Sequence, residues 1–346
     1  MTRPRAHWFS LVFAITALAT GLAACSSGSS SSQASSGSTG STSTGSSGTL
    51  TTVSVAAPDI ASAVPLEIAE SQGLFKAEGL NVKVEIIANS NATTGPLLAG
   101  TLDFTSENWV GQYIQEETNP KLGLKVVADN FQAAANIAAI VVPKNSTITS
   151  VKQLAGKKIA LPGTGASIGP LSVDVLLNSY GIKATMNSNS FQTVVTPFPD
   201  MPAVLAQDKV DAAWVTEPFV TVAEEAGAHV LAYTYTGALA GFPIGDWATT
   251  ESFAEKNPTA VKEFAAAITK AQEMAASDPA LVREEEPKWI PTLSPKIANV
   301  MAQGTYDTTV SLTRLQRVAD VMEDYGFLPK SFNSQLPAMI ALPAGA

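Results

Sequence analysis

One cysteine, Cys25, stands in the whole chain, so no internal disulfide can form and no thiolate cluster can hold a metal. Histidine is almost as scarce, with His7 and His229 only, which excludes a His/Cys metal site of the usual kind. Lys and Arg number 21 against 30 Asp and Glu, and the net charge of -9 gives an acidic surface that repels nucleic acid. No apolar run reaches the roughly 20 residues that a membrane-spanning helix needs. The run from Trp8 to Ala19 falls short of that, and Gly21 breaks any extension of it. With aromatic residues at 7% and hydrophobic residues at 45%, stability has to come from an ordinary core of aliphatic side chains.

The chain begins with Arg3 and Arg5 ahead of that short apolar run, the pattern of a secretory signal. Leu22-Ala23-Ala24-Cys25 then places small residues before the cysteine, as a lipoprotein signal peptidase site requires. Residues 1–24 are therefore expected to be removed and Cys25 acylated, anchoring the chain to the outer face of a membrane. Loss of Arg3 and Arg5 takes the formal charge from -9 to -11 and leaves His229 as the single histidine. Residues 25–50 read as a tether, since Ser, Gly and Thr dominate from Ser26 to Thr52 and such a segment buries too little to order itself. A Gly/Ser coil of about 27 residues reaches about 30 Å.

The remainder alternates β-rich runs with helical periods, the signature of an α/β fold with helices flanking a sheet. Strands are expected at 51–56, 81–87, 102–106, 124–129, 136–142, 158–161, 210–215 and 228–233. Helices are expected at 62–73, 93–100, 167–180, 200–207 and 218–226, and the chain after Asp246 reads as helices only. An internal echo joins two stretches. Leu98 to Phe104, leading to Ser106-Glu107-Asn108-Trp109, parallels Leu205 to Ala212, leading to Trp214-Val215-Thr216-Glu217-Pro218. Each reads as helix end, tight turn, short strand and loop at the carboxyl edge of a sheet, where open α/β sheets bind ligands.

Several of these segments carry a family resemblance. Gly73-Leu74-Phe75-Lys76-Ala77-Glu78-Gly79-Leu80, Leu97-Leu98-Ala99-Gly100-Thr101-Leu102-Asp103, Pro162-Gly163-Thr164-Gly165 and Asp211-Ala212-Ala213-Trp214-Val215-Thr216-Glu217-Pro218-Phe219 resemble the nitrate, sulfonate, taurine and thiamine-precursor family of periplasmic binding proteins. The likeness runs from about residue 52 to at least 330. It implies a type II periplasmic-binding fold of two lobes, each with a central mixed sheet flanked by helices and with a ligand cleft between them. Lobe 1 would hold 51–142 and 247–346, lobe 2 would hold 143–246, and hinges would lie near Val142-Pro143 and Pro243-Ile244. It also implies a monomeric receptor of an ABC importer that passes a small solute to membrane permease subunits, without enzymatic activity or cofactor.

Candidate ligand contacts lie in the loops. Gly163, Thr164, Gly165 and Ser167 open a helix whose N–H groups suit an anionic or polar group, although Thr164 or Ser167 could simply cap it. Thr216 and Glu217 start another helix, where a capping role is the plain alternative. Asp59 and Ser62 follow the first strand, Glu107, Asn108 and Trp109 follow the third, and Gln132 follows the fourth. Trp109 and Trp214 fit either a planar ligand or the core. These loops carry Asp59, Glu107, Asp200, Glu217 and Asp246 but almost no cation, which points to a neutral or cationic, pyrimidine-like or amine ligand rather than a sulfonate.

Two other classes compete. Gly165-Ala166-Ser167-Ile168-Gly169 matches a nucleophile elbow, with Asp211 and His229 in hydrolase order, yet Pro162 to Gly165 separate the serine from its strand and His229 opens an apolar run. A structural surface lipoprotein without ligand is the other.

Overall fold

The computed structural model describes residues 49–87, 92–163, 165 and 167–339, so Cys25, the signal and most of the tether lie outside the described residues. The strands are β1 (Thr51–Ala57), β2 (Leu80–Ile86), β3 (Phe104–Asn108), β4 (Leu124–Gln132), β5 (Ala138–Val142), β6 (Lys158–Leu161), β7 (Gln192–Val195), β8 (Ala212–Thr216), β9 (His229–Tyr233), β10 (Pro243–Thr250) and β11 (Thr305–Tyr306). The helices are α1 (Val64–Ser71), α2 (Leu74–Ala77), α3 (Thr94–Ala99), α4 (Trp109–Thr118), α5 (Ile168–Ser179), α6 (Met201–Ala206), α7 (Phe219–Glu225), α8 (Glu251–Lys256), α9 (Pro258–Ser277), α10 (Pro279–Trp289), α11 (Pro295–Val300) and α12 (Leu312–Asp324).

Two mixed sheets result. The first has the order β11-β4-β10-β3-β1-β2 and the second β7-β6-β8-β5-β9. In the first, β1 runs parallel to β2 and β3 while β10 is antiparallel to β3 and β4. In the second, β6 runs parallel to β7 and β8, and β5 is antiparallel to β8 and β9. β5, Ala138-Ala139-Ile140-Val141-Val142, is buried throughout, as a central strand covered on both faces must be.

Helix faces explain the layers. α9 begins at Pro258, whose missing N–H costs nothing at a first turn, and buries Val261, Phe264, Ile268, Ala271 and Ala275 along one stripe. Phe264 stacks on Phe104 at 4.0 Å and on Phe75 at 5.6 Å, joining α9 and α2 to the first sheet. α12 presents Leu315, Val318, Ala319 and Met322 inward by the same spacing. The internal echo corresponds to one unit in each sheet: α3 turns through Gly100 into β3, and α6 turns through Asp208 into β8, both turn residues having positive φ.

The structure corrects the sequence reading in places. The chain after Asp246 is not purely helical, because Asp246 sits inside β10 and β11 pairs with β4. Trp109 begins α4 rather than ending a loop, and α2 and β7 are additional elements. The strand expected at 136–142 belongs to the second sheet, so the chain crosses between sheets at 133–137 and 234–242 rather than at Val142-Pro143 and Pro243-Ile244. The two crossings are bonded together. Ala133 N–H donates to the Phe242 carbonyl at 2.8 Å and Gln132 Nε2 to the Gly241 carbonyl at 3.1 Å. Arg317 of α12 donates to the Gly241 carbonyl at 2.9 Å and to that of Ala238 at 3.0 Å.

Candidate ligand-binding cleft

Strand ends from both sheets converge on one cleft of about 920 Å3, counted out to its open mouth. The first sheet contributes Ser62 after β1, Ser106 and Asn108 from β3, Phe131 from β4 and Ile244 from β10; the second contributes Gly163, Ser167, Phe198, Trp214, Thr216 and Tyr235. The walls are mainly apolar, and among the described residues that line them none is charged.

Two helices begin at this cleft. Asn108 caps α4, its side-chain oxygen accepting the Gly111 N–H at 2.8 Å, and both residues line the cleft. Ser167 stands at the N-cap of α5 in extended conformation but makes no capping bond. Its hydroxyl is buried and has no hydrogen-bond partner among the described residues, although it borders the open cleft. A first turn leaves its N–H groups unsatisfied and carries partial positive charge, so each of these ends favours an acceptor or an anion. Thr216, the last residue of β8, gives its proton to the Ile137 carbonyl at 3.0 Å, so its oxygen offers lone pairs rather than a proton.

The expected contacts divide sharply. Ser62, Asn108, Gly163, Ser167 and Thr216 meet in the cleft. Glu217 does not line it: one carboxylate oxygen accepts the Thr221 N–H at 3.1 Å, and the other accepts the Thr221 hydroxyl at 2.9 Å and the Ala302 N–H at 3.2 Å. Burial pushes its carboxyl up against the lowering effect of those bonds. Thr216 does not cap α7, whose N-cap is Pro218. Trp109 is fully buried and packs edge-on against Tyr113 at 5.8 Å, so it fills the core rather than stacking on a ligand. Gln132 is bound to the Gly241 carbonyl, and Gly165 faces a different groove. Asp59 lies between the lining residues Pro58 and Ile60 without lining the cleft, and partial burial raises its carboxyl. Thr164 and the side chain of Glu107 are outside what is described, and the backbone of Glu107 pairs with Asp246.

These placements revise the ligand charge expected from the sequence. Glu217 is spent on backbone and hydroxyl donors, Asp246 is fully buried within β10, and Asp200 is exposed outside the cleft. Asp59, Asp200, Glu217 and Asp246, four of the carboxylates that favoured a cation, do not line the cleft, and the cationic reading loses most of its basis.

The hydrolase constellation does not assemble. His229 Nε2 lies 3.2 Å from the Lys144 carbonyl at an exposed position, and Asp211 accepts the Lys158 N–H at 2.8 Å. Neither lines the cleft that holds Ser167.

Sequence reasoning missed the walls. Phe131, Phe198 and Ile244 look like core residues because no chemistry distinguishes an apolar side chain facing a cleft from one facing the interior. Trp214 is both: it is 2% exposed, lines the cleft, and donates from Nε1 to Thr234 Oγ1 at 3.1 Å. Burial raises the Tyr235 phenol well above its usual range.

Comparison with known proteins agrees with this geometry. A family described as NMT1/THI5 like matches residues 61–281. The chain is 29% identical over 231 residues to the taurine-binding periplasmic protein of Escherichia coli (strain K12), covering 66% of this chain and 68% of that one. Among solved structures, the alkanesulfonate-binding protein SsuA from Xanthomonas axonopodis pv. citri bound to MOPS superposes with a TM-score of 0.67 at 16% identity, over 83% of this chain and 97% of that one. The periplasmic nitrate-binding protein NrtA from Synechocystis PCC 6803 gives 0.68 at 16%, over 83% and 85%. The fold is thus the two-lobed periplasmic-binding fold with a cleft between its sheets.

Proposed function

From a chain that belongs to the NMT1/THI5-like family, we propose an extracytoplasmic solute-binding receptor of an ABC importer, acting without chemistry on its cargo. The observation that carries the ligand class is a largely apolar cleft, uncharged among its described lining residues, that receives the first turns of α4 and α5. An oxyanion can be held there by N–H groups and by the Ser167 hydroxyl while an apolar body rests on Phe131, Phe198 and Trp214. A simple alkanesulfonate fits this pattern. Taurine fits less well, because among the described lining residues no carboxylate would meet its ammonium, and an unpaired buried cation is costly.

Phe198 and Trp214, with ring centroids 6.0 Å apart on one wall, support a second reading in which a neutral pyrimidine stacks there.

The lobes, taken as the parts of the chain on either side of the crossings at 133–137 and 234–242, would close on the solute, and the closed form would dock on membrane permease subunits. Cys25, acylated, would tether the receptor to the outer face of the membrane through the Ser/Gly segment. A thermal-shift screen tests the ligand class: a ligand at 100 times its Kd adds about 2.7 kcal/mol of stability. An alkanesulfonate shift exceeding that of taurine supports the main reading. A shift from the pyrimidine alone supports the second, and no shift from either contradicts both.

A further inference from the structure

A second groove, of about 1120 Å3 counted to its open mouth, is lined by Pro170 and Asp174 of α5. Asp174, in the middle of that helix, lines it while only 3% exposed. Its carboxylate meets no hydrogen-bond donor and no cation among the described residues, and burial alone moves it from 3.8 to about 7. The facing titratable group is Tyr325, whose phenol is raised by burial, by Asp324 and by Asp174. An ionised carboxylate in such a place lacks the partner that normally offsets its desolvation.

The surroundings supply the rest of a cation site. Pro170, Thr185, Asn189, Phe191 and Phe327 share the groove with Asp174. Thr185 and Asn189 carry oxygens that accept N–H groups, and the aromatic faces attract a cation through their quadrupoles. The segment is held in place: Gly156 N–H donates to the Ser190 carbonyl at 2.7 Å, Thr185 N–H to Ser188 Oγ at 2.8 Å, and Met186 N–H to the Tyr325 carbonyl at 3.2 Å. A preformed groove loses little entropy on binding.

We propose that this groove binds an organic ammonium ion, with Asp174 as its counter-charge and Phe191 and Phe327 as its aromatic walls. Its selectivity is opposite to that of the interlobe cleft, since Asp174 repels anions, and the two sites share no lining residue.

The test is an amide-resolved NMR titration of the full chain with n-butylammonium, using 1-butanesulfonate as the charge-reversed control. The ammonium is expected to shift Asp174, the 185–193 segment and Phe327, and the sulfonate to leave them unmoved. Asp174→Asn, which keeps the side-chain shape, should weaken ammonium binding by about 10- to 100-fold, the range for a charge-assisted bond. Its melting temperature should equal or exceed that of the wild type, because a desolvated charge is removed. Phe191→Leu should weaken binding by about 2- to 5-fold through loss of the ring. Absence of shifts, shifts at the interlobe cleft instead, or unchanged affinity in Asp174→Asn would each overturn the proposal.

Discussion

Glu217, at the carboxyl end of the second sheet's central β8, accepts the backbone N–H of Ala302, which lies just ahead of β11 in the first sheet, at 3.2 Å. The next residue repeats the arrangement within the first-sheet side: Gln303 Nε2 donates to the buried Glu286 of α10 at 3.1 Å. The 302–303 turn is thus held by two carboxylates, one from each sheet's side of the molecule. Glu217, expected to contact ligand, instead ties the two halves of the molecule together beside the cleft.

Glu217→Ala should therefore destabilise the protein by about 1–3 kcal/mol, since the N–H groups of Ala302 and Thr221 lose a buried acceptor. Solute affinity should fall as well, because the bonded arrangement of the sheets becomes less populated. Thermal melting and a solute titration measure the two effects. Melting unchanged from wild type would contradict this role.

Stability should rise on mild acidification. Burial moves Glu286 from 4.5 to about 7, against the bond from Gln303, and moves Asp129 from 3.8 to about 7, against Arg314. Their folded pKa values exceed the unfolded ones, so the native state binds more protons between those limits. The stabilisation is fully present below the unfolded value and is lost as pH rises through about 7. Melting temperatures should be higher near pH 5 than near pH 8, and Glu286→Gln should reduce that difference. A pH-independent wild-type melting point would contradict the assignment.

Gly304 is required by its neighbour. A Cβ there would fall 1.9 Å from Cζ of Phe131 and 2.3 Å from its Cε2. Phe131 is itself fixed against Tyr306, with centroids 5.2 Å apart, and lines the cleft. Gly304→Ala should cost about 1–3 kcal/mol and drive the ring toward the ligand. Paired melting and affinity measurements should both decline, and a variant that melts and binds as wild type would show that the ring has room to move.

Most of the architecture is legible in the sequence because its signals are local. Strands such as β6 and β9 are short apolar runs, and α9 and α12 keep a 3.6-residue stripe over many turns. β10 is hidden because Pro243, Gly245 and Asp246 read as a loop, whereas pairing on both sides with β3 and β4 overrides those preferences. α4 is hidden by Ser106-Glu107-Asn108 and Gly111, although Asn108 is a proper cap. β7, largely exposed at a sheet edge, shows no alternation to read. At the site, hydroxyl and glycine positions at strand ends are legible. The uses of Glu217 and Gln132 are not, because their partners, Ala302 and Gly241, are far away in sequence.

Ser167→Ala separates a ligand contact from a structural cap. The hydroxyl makes no capping bond, so its loss should change stability by less than about 0.5 kcal/mol. Affinity for the cleft ligand should fall about tenfold through loss of a hydrogen bond. Titration calorimetry on the variant checks this, and unchanged affinity would remove Ser167 from the site.

The most direct measurement is a crystal structure grown with the alkanesulfonate that gives the largest thermal shift. Density is expected in the interlobe cleft, with the sulfonate at the first turns of α4 and α5 within reach of Ser167 Oγ and the alkyl chain against Phe131, Phe198 and Trp214. A sulfonate bound outside this cleft, or held inside it by a lysine or arginine side chain, would contradict the proposed mode of binding.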